Sequence, residues 1–306
     1  MKKTIQIIGL ITLYYFTSLG LGFFTKYFLS KTAYNFRFPL FKSSIQNLTH
    51  FILSSAIIKM NKDYAKDSKF MYYTIPCAIT GALDIGLSSF SLRNVSLAFY
   101  TMVKSSAPVF ILLSGMVFGI EQPSVQFFLI IFSIGLGVFM TSFKNSNFDF
   151  TGFGIISFAS FMAGFRWAFI QYLLEKRGIK KGGMYGTIRD LSLPISFILC
   201  IMSYYYEGFY EIIQSEFFNN TRSAMKNLGF IIGIGIFSFL LICSEFTLVS
   251  KTSVVFLSIS SIIKELVIIF ISLFRKEIEL NGVNYIGLGI SILGILFYNI
   301  KRQKIR

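Results

Sequence analysis

Long apolar runs follow one another along the whole chain, separated by short segments rich in Lys, Ser and Asn. A membrane-spanning helix needs roughly 20 mainly apolar residues. Windows of that kind fall at residues 5–25, 38–58, 70–90, 95–118, 124–143, 151–174, 185–206, 228–248, 253–274 and 282–300. The pattern predicts an all-α integral membrane protein of about ten transmembrane helices. No interval between windows is long enough for a soluble domain, so residues 1–306 read as one membrane domain. The longest polar connection, "EGFYEIIQSEFFNNTRSAMKN", joins the seventh and eighth windows. The opening "MKKTIQIIGLITLYYF" has the basic start and apolar run of a signal peptide. It continues through "TSLGLGFF" to spanning length, and therefore reads as the first helix.

Lys and Arg in the connections set the orientation, because cytosolic loops carry the excess. Lys2, Lys3, Lys59, Lys62, Lys66, Lys69, Lys176, Arg177, Lys180, Lys181, Lys251 and the tail "KRQKIR" fall on one side. A smaller set that includes Lys26, Lys31, Arg37, Lys42 and Arg93 falls on the other. Both ends are expected in the cytosol. The segments "GIEQPSVQFFLIIFSIGLGVF" and "RKEIELNGVNYIGLGISILGILF" share an acid, a polar break and a Gly-bearing helix. They suggest two five-helix halves, residues 1–145 and 146–306, inverted relative to each other because five is odd. Inverted repeats place a substrate near the midplane. Gly135, Gly137, Gly287, Gly289 and Gly294 fit close helix packing better than ligand binding.

Charges inside the apolar windows change the picture most. Lys104 lies in "YTMVKSSAPVFILLSG", Asp84 in "GALDIGLSSF", Arg166 in "AGFRWAFIQYLL", Glu245 in "LLICSEFTLV", and Lys264 with Glu265 in "SSIIKELVII". Each would cost roughly 2.5–3.5 kcal/mol at the bilayer centre, so they must face water or one another. Adjacent Arg189 and Asp190 read as a structural pair, and Asp84 as a partner that holds a basic residue in place. Lys104 and Lys264 read as functional, for Thr101, Ser105, Ser106, Ser260 and Ser261 give them polar lining without bulk. Tyr100 lies one turn before Lys104 on the same helix face. Two lysines and Arg166 suit a phosphate or diphosphate, Lys as a point charge and Arg as a planar fork. Like-charge repulsion would strain the empty site, a device for obligatory exchange.

Composition agrees. The chain is 54% hydrophobic and 14% charged, where soluble domains carry about a quarter charged. The net charge of +15 does not indicate nucleic acid, because the basic residues sit in connections between apolar runs. Cys77, Cys200 and Cys243 are far apart with no CxxC spacing, and read as buried free thiols. His50 is the lone histidine and reads as a packed residue. No metal site and no cofactor is expected.

"ALDIGLSSFSL", "FYTMVKSSAPVFIL", "GFRWAFIQYLLEK", "SEFTLVSKTS" and "LSISSIIKE" together resemble the triose-phosphate and nucleotide-sugar translocator family of the drug/metabolite transporter superfamily. The nearest likeness is to the second branch of subfamily C of solute carrier family 35. The resemblance runs in family order from about residue 80 to the end, and more loosely over the first two helices. It implies ten helices in two inverted halves that exchange phosphorylated solutes. In the plastid carriers a lysine of the fourth helix, an arginine of the sixth and a Lys-Arg pair of the ninth hold phosphate. Lys104, Arg166 and Lys264 stand at the matching places, and Glu265 replaces the final arginine. That exchange speaks against triose phosphate and leaves room for a nucleotide sugar, while "KE" is the expected pair in subfamily C. With the resemblance, the substrate is expected at Lys104, Lys264 and Arg166, with Tyr100, Glu245 and Glu265 for sugar, base or gating contacts. The expected partners are a nucleotide sugar or sugar phosphate, a counter-substrate such as phosphate or a nucleoside monophosphate, and the bilayer. A second copy of the chain, in a homodimer, is the remaining candidate partner.

Two other function classes compete. A membrane-embedded transferase needs an acid–base or metal cluster at a membrane surface, and one histidine with few loop acids argues against it. A non-transporting chaperone or regulator of the secretory pathway could keep the same fold, but retention of Lys104 and Lys264 argues for transport. Lys304 and Arg302 in the tail resemble a dibasic retrieval signal, which points to the Golgi or endoplasmic reticulum membrane. "NNT" at 219–221 is a glycosylation acceptor pattern on the lumenal side.

Overall fold

The computed structural model describes residues 2–61, 71–104, 106–118, 149–177, 183–252 and 281–305, with single positions between 129 and 140 and between 257 and 274. Among the described residues the chain is helical and contains no strand. The helices are α1 (Lys2–Leu29), α2 (Pro39–Asn61), α3 (Met71–Asn94), α4 (Leu97–Lys104), α5 (Ala107–Val117), α6 (Phe150–Arg177), α7 (Gly183–Ser203), α8 (Phe209–Gln214), α9 (Thr221–Lys251) and α10 (Gly282–Ile305). Among the described residues six segments are long and apolar enough to cross a membrane: Gln6–Leu29, Thr74–Asn94, Phe99–Val117, Phe150–Leu173, Met184–Gln214 and Thr221–Lys251; most of each window expected at 124–143 and 253–274 lies outside the described residues. Helix α2 is long enough, with 23 residues, but its polarity keeps it out of that set. Lys42, Ser43, Ser44, Asn47, His50 and Ser54 are all buried, so the polar side faces protein.

The chain divides into two compact units. The first contains Met1–Asn94 and Phe169–Ser253, the second Val95–Ala168 and Val254–Arg306. The first unit draws one segment from before residue 145 and one from after it, and the segment Val95–Ala168 of the second runs across that position.

In the first unit α2 is central. It packs most extensively against α7, then against α9 and α3, while α1 packs on α9. Serine pairs tie these helices where lipid-like side chains could not: Ser43 to Ser89 at 2.8 Å, and the Ser44 hydroxyl to the Ser196 carbonyl at 2.9 Å. The Ser196 hydroxyl returns a bond to the Ser44 carbonyl at 2.8 Å. One end of the unit is closed by an aromatic cluster of Phe28, Phe36, Phe38 and Phe217. Phe28 stacks on Phe36 at 4.6 Å and on Tyr34 at 5.2 Å. The Tyr34 hydroxyl donates to Asn227 at 2.5 Å, and Asn227 donates onward to the Phe217 and Ser223 carbonyls. Burial raises the Tyr34 pKa above its ordinary value, Tyr27 adds to the rise, and the Asn227 bond opposes it. The Lys26 ammonium donates to the Leu92 carbonyl at 3.0 Å. It thereby serves one of the carbonyls that a helix end leaves without an internal partner.

Helix α2 starts at Pro39, whose fixed φ suits a first helical position. Phe38 before it has no polar side chain to cap the first turn. Glu207 supplies that cap from a distance: its carboxylate accepts from Leu40 N at 2.6 Å and Phe41 N at 2.8 Å. The Ser203 hydroxyl donates to the same carboxylate at 2.7 Å. Glu207 sits in a π-helical turn, Tyr204–Gly208, inserted between α7 and α8. Gly208 closes the turn at φ +71°, a conformation side chains disfavour. Around it Tyr204, Tyr205, Tyr206 and Tyr210 are exposed, the aromatic belt of a membrane–water interface. The polar connection expected at 207–227 is thus this turn, α8 and the first turns of α9.

The second unit is built on contacts between small residues and backbone. Val95, Phe99, Val103 and Ile156 form its buried cluster, with Tyr100 and Phe153 packed against it. A Cβ on Gly164 would stand 2.6 Å from the Phe110 carbonyl oxygen, and one on Gly152 would stand 2.7 Å from Val95. Gly137 lies against Gly287 and Ser291 of α10. Asn284 Nδ2 donates to the Met140 carbonyl at 3.1 Å. Close backbone approach at small residues is how membrane helices gain packing without a hydrophobic driving force.

Candidate functional site

Lys104 is the last residue of α4, and the apolar window around it is not one helix. The chain turns at Ser106 and restarts as α5 at Ala107. Pro108 in the first turn of α5 accounts for the break, because proline removes a donor and clashes with a preceding carbonyl. The Ser106 hydroxyl does not cap α5; it bonds backward to the Val103 carbonyl at 2.7 Å. A half-buried ammonium therefore stands at a helix C-terminus, where cations are favoured, just before a helix N-terminus, where anions are favoured. Discontinuous membrane helices of this kind hold anionic and ionic cargo in transporters. The residues around it, Phe99, Thr101, Met102 and Val103, are buried. Ser105, expected beside it, lies outside the described residues.

Arg166 belongs to the same unit. Val95 beside Gly152 and Phe110 beside Gly164 pair in ascending order, so α4 and α5 run parallel to α6. On that register Lys104 is level with about Ser160. Arg166 stands six residues further on, roughly 9 Å along the axis. Helical side chains lean toward the N-terminus, which carries the Arg166 side chain toward the level of Lys104. Its guanidinium carbon lies 5.0 Å from the Trp167 ring centre, a cation–π contact that steadies a charged group without neutralising it.

Lys264 also lies in the second unit, at a helical position. Leu257, Ser260 and Ile268 are buried, Ser261, Lys264 and Ile271 are half-buried, and Val267 and Phe274 are exposed. The first six make one stripe at three- and four-residue spacing, so Lys264 sits on the inward side of its helix. Tyr100, Lys104, Arg166 and Lys264 are thereby members of one compact unit. Glu265 lies outside the described residues.

The remaining sequence-selected charges lie in the first unit. Asp84 is buried in α3 and accepts from the Ser88 hydroxyl at 3.4 Å. Glu245 is half-buried in α9, next to buried Ser244 and Phe246. Arg189 and Asp190 pair at 3.5 Å. His50 is buried and bonds through Nε2 to the Ser238 hydroxyl at 2.6 Å, a packed residue. The three cysteines form no disulfide; Cys77 is buried, Cys243 half-buried and Cys200 exposed, contrary to the expectation of three buried thiols.

Sequence reasoning missed two residues. Lys42, read as a loop residue, lies in the first turn of α2 and is 3% exposed. Glu207, read as part of a polar connection, is 8% exposed. The start of an apolar helix without a capping side chain was the signal for Glu207, since those N–H groups must find an acceptor somewhere.

A model of the Triose-phosphate Transporter family matches residues 5–299. A probable sugar phosphate/phosphate translocator of Arabidopsis thaliana is 28% identical over 299 residues, with 94% of this chain and 71% of that protein covered. A second Arabidopsis protein of the same description is 26% identical, with 96% and 86% covered. A Saccharomyces cerevisiae protein whose name assigns it to nucleotide-sugar transport is 24% identical, with 95% and 83% covered. A protein of known crystal structure aligns over 100% of this chain and 99% of its own, at a TM-score of 0.60 and 10% identity, which marks a shared fold.

Proposed function

Because the chain belongs to the Triose-phosphate Transporter family, and is a transporter rather than an enzyme, we propose that it exchanges a sugar phosphate or nucleotide sugar for phosphate or a nucleoside monophosphate. The single observation that carries this reading is the placement of Lys104 at the break between α4 and α5, on a register that brings Arg166 of α6 toward it. Lys264, on the inward stripe of the same unit, supplies a further cation. An entering anion lowers the mutual repulsion of three like charges, so reorientation waits for cargo. Tyr100 contacts sugar or base beside Lys104. Glu245 and Glu265 accept from sugar hydroxyls or gate, and Asp84 holds a basic residue in place.

The reading includes ten membrane helices arranged as two inverted halves, 1–145 and 146–306. It includes both termini in the cytosol and residence in the Golgi or endoplasmic reticulum membrane. The relatives' descriptions as sugar phosphate and nucleotide-sugar carriers support the phosphorylated class of cargo. The test is counterflow in proteoliposomes, with a panel of nucleotide sugars, sugar phosphates and nucleoside monophosphates. Uptake of labelled cargo only when the vesicles are preloaded with a phosphorylated counter-substrate is the expected result. Equal uptake into empty vesicles would rule out obligatory exchange.

A further inference from the structure

One face of α2 carries polar atoms that the first unit does not satisfy. Lys42, Gln46 and His50 follow at four-residue spacing, which stacks them on successive turns. Lys42 is 3% exposed and His50 5%. Among the described residues no acceptor or carboxylate pairs with the Lys42 ammonium. The Gln46 Oε1 and His50 Nδ1 atoms are buried without a hydrogen-bond partner. The neighbouring face is the opposite case: Ser43 bonds Ser89, Ser44 bonds Ser196, and Asn47 bonds the Ser43 carbonyl. Asn35 Oδ1, Ser55 Oγ and Arg93 Nε of the unit are also buried without a partner, but they are scattered, whereas Lys42, Gln46 and His50 stack on successive turns of one helix.

The tautomer of His50 follows from its partner. The Ser238 hydroxyl gives its proton to the Gly235 carbonyl at 2.9 Å. It must then accept from His50 Nε2 at 2.6 Å, so Nε2 carries the hydrogen and Nδ1 presents a lone pair. The nearby carboxylate of Glu207 is committed to Leu40 N, Phe41 N and the Ser203 hydroxyl, and is not spent on Lys42. The stripe thus offers one cationic donor at its first turn and two acceptors below it. A buried ammonium without a counter-charge and buried acceptors without donors are both costly. One solute answers all three needs: a phosphate at one end and hydroxyls at the other.

We infer that the Lys42–Gln46–His50 face of α2 is a second cargo-binding seam, where Lys42 takes the phosphate and Gln46 Oε1 and His50 Nδ1 accept from sugar hydroxyls. This rests on the cargo class proposed above and adds residues of the first unit to it. Lys42 reads the charge, and Gln46 with His50 reads the polyol, so the seam prefers a hexose phosphate to inorganic phosphate and ignores the free hexose.

The test is ligand-induced thermal stabilisation of the full chain in nanodiscs, titrated with inorganic phosphate, a hexose phosphate and the unphosphorylated hexose. The wild type binds the hexose phosphate tightest. Lys42→Met weakens both phosphorylated ligands about tenfold or more, the scale of a lost charged hydrogen bond. Lys42→Arg restores binding in part. Gln46→Leu removes the preference for hexose phosphate and leaves inorganic phosphate unchanged. Size-exclusion profiles and ligand-free melting check that Lys42→Met folds, and removal of a buried charge should raise its melting temperature. A response in Lys42→Met equal to wild type overturns the seam, and if that response vanishes in Lys104→Ala the exchange reading stands without it. A wild type that answers to no phosphorylated ligand overturns both.

Discussion

Lys42 and Lys104 are both lysines within helical protein, and they live in opposite electrostatic settings. Lys104 ends α4, where the carbonyl end of a helix favours a cation by about 0.3–1 kcal/mol. It is half-buried. Lys42 occupies the first turn of α2, where the same dipole opposes it, and it is almost fully buried. The cap that would ease this position, the Glu207 carboxylate, answers the backbone instead. Lys104 is therefore tolerable in a resting protein, whereas Lys42 is a standing cost that a bound anion would relieve. On the proposed exchange reading, a cation at a helix end built for cations governs what moves. A cation at a helix end built for anions governs how firmly the protein waits for it.

The largest effect is expected from Lys104→Ala, which should lower exchange in counterflow at least about tenfold through loss of a charged hydrogen-bond donor. Exchange at the wild-type rate would break the comparison on the Lys104 side. Next comes Gly164→Leu. The Phe110 carbonyl oxygen leaves no room for a side chain there, so overpacking should cost about 1–3 kcal/mol and lower the melting temperature. Because α6 also carries Arg166, transport should fall with it, and a stable, active variant would remove the register argument. Glu207→Ala strips two backbone N–H groups of α2 of their acceptor and should destabilise by about 1–2 kcal/mol, the range of a lost helix cap. The measurement is a denaturation midpoint, and Glu207→Gln should recover part of the loss. Ser196→Ala is the mildest structural change. It removes the paired bonds to Ser44, and polar contacts between membrane helices average about 0.6 kcal/mol. Last, Asn219 is exposed in the turn before α9, so expression in a secretory host should give a glycosidase-sensitive band that Asn219→Gln abolishes. That band fixes the side of the membrane facing the capped end of α2, and its absence would reverse the orientation.

Much of this was legible before any coordinates. The apolar windows anticipated the described helices, and charges inside them singled out Lys104, Arg166 and Lys264, because a cation in an apolar run must face water or a counter-charge. Lys42 escaped for the complementary reason. It follows "NFRFPLF" near a run of serines, and a charge among polar neighbours looks like a loop. Only the folding of Phe36, Phe38 and Phe217 over that end makes its burial visible. The break at Ser106 was readable in "SSAP", but a continuous apolar window hid it. Glu207 could not be found from local pattern at all, since its partners lie 167 and 166 residues earlier in the chain.

That separation has a consequence for biogenesis. Helix α2 enters the membrane early in synthesis, while the carboxylate that seals its first turn is still 167 residues from being made. At roughly 5–20 residues per second, the ribosome leaves those amides waiting on the order of ten seconds. Until the tyrosine-flanked turn arrives, those amides need another acceptor, such as water or a lipid headgroup.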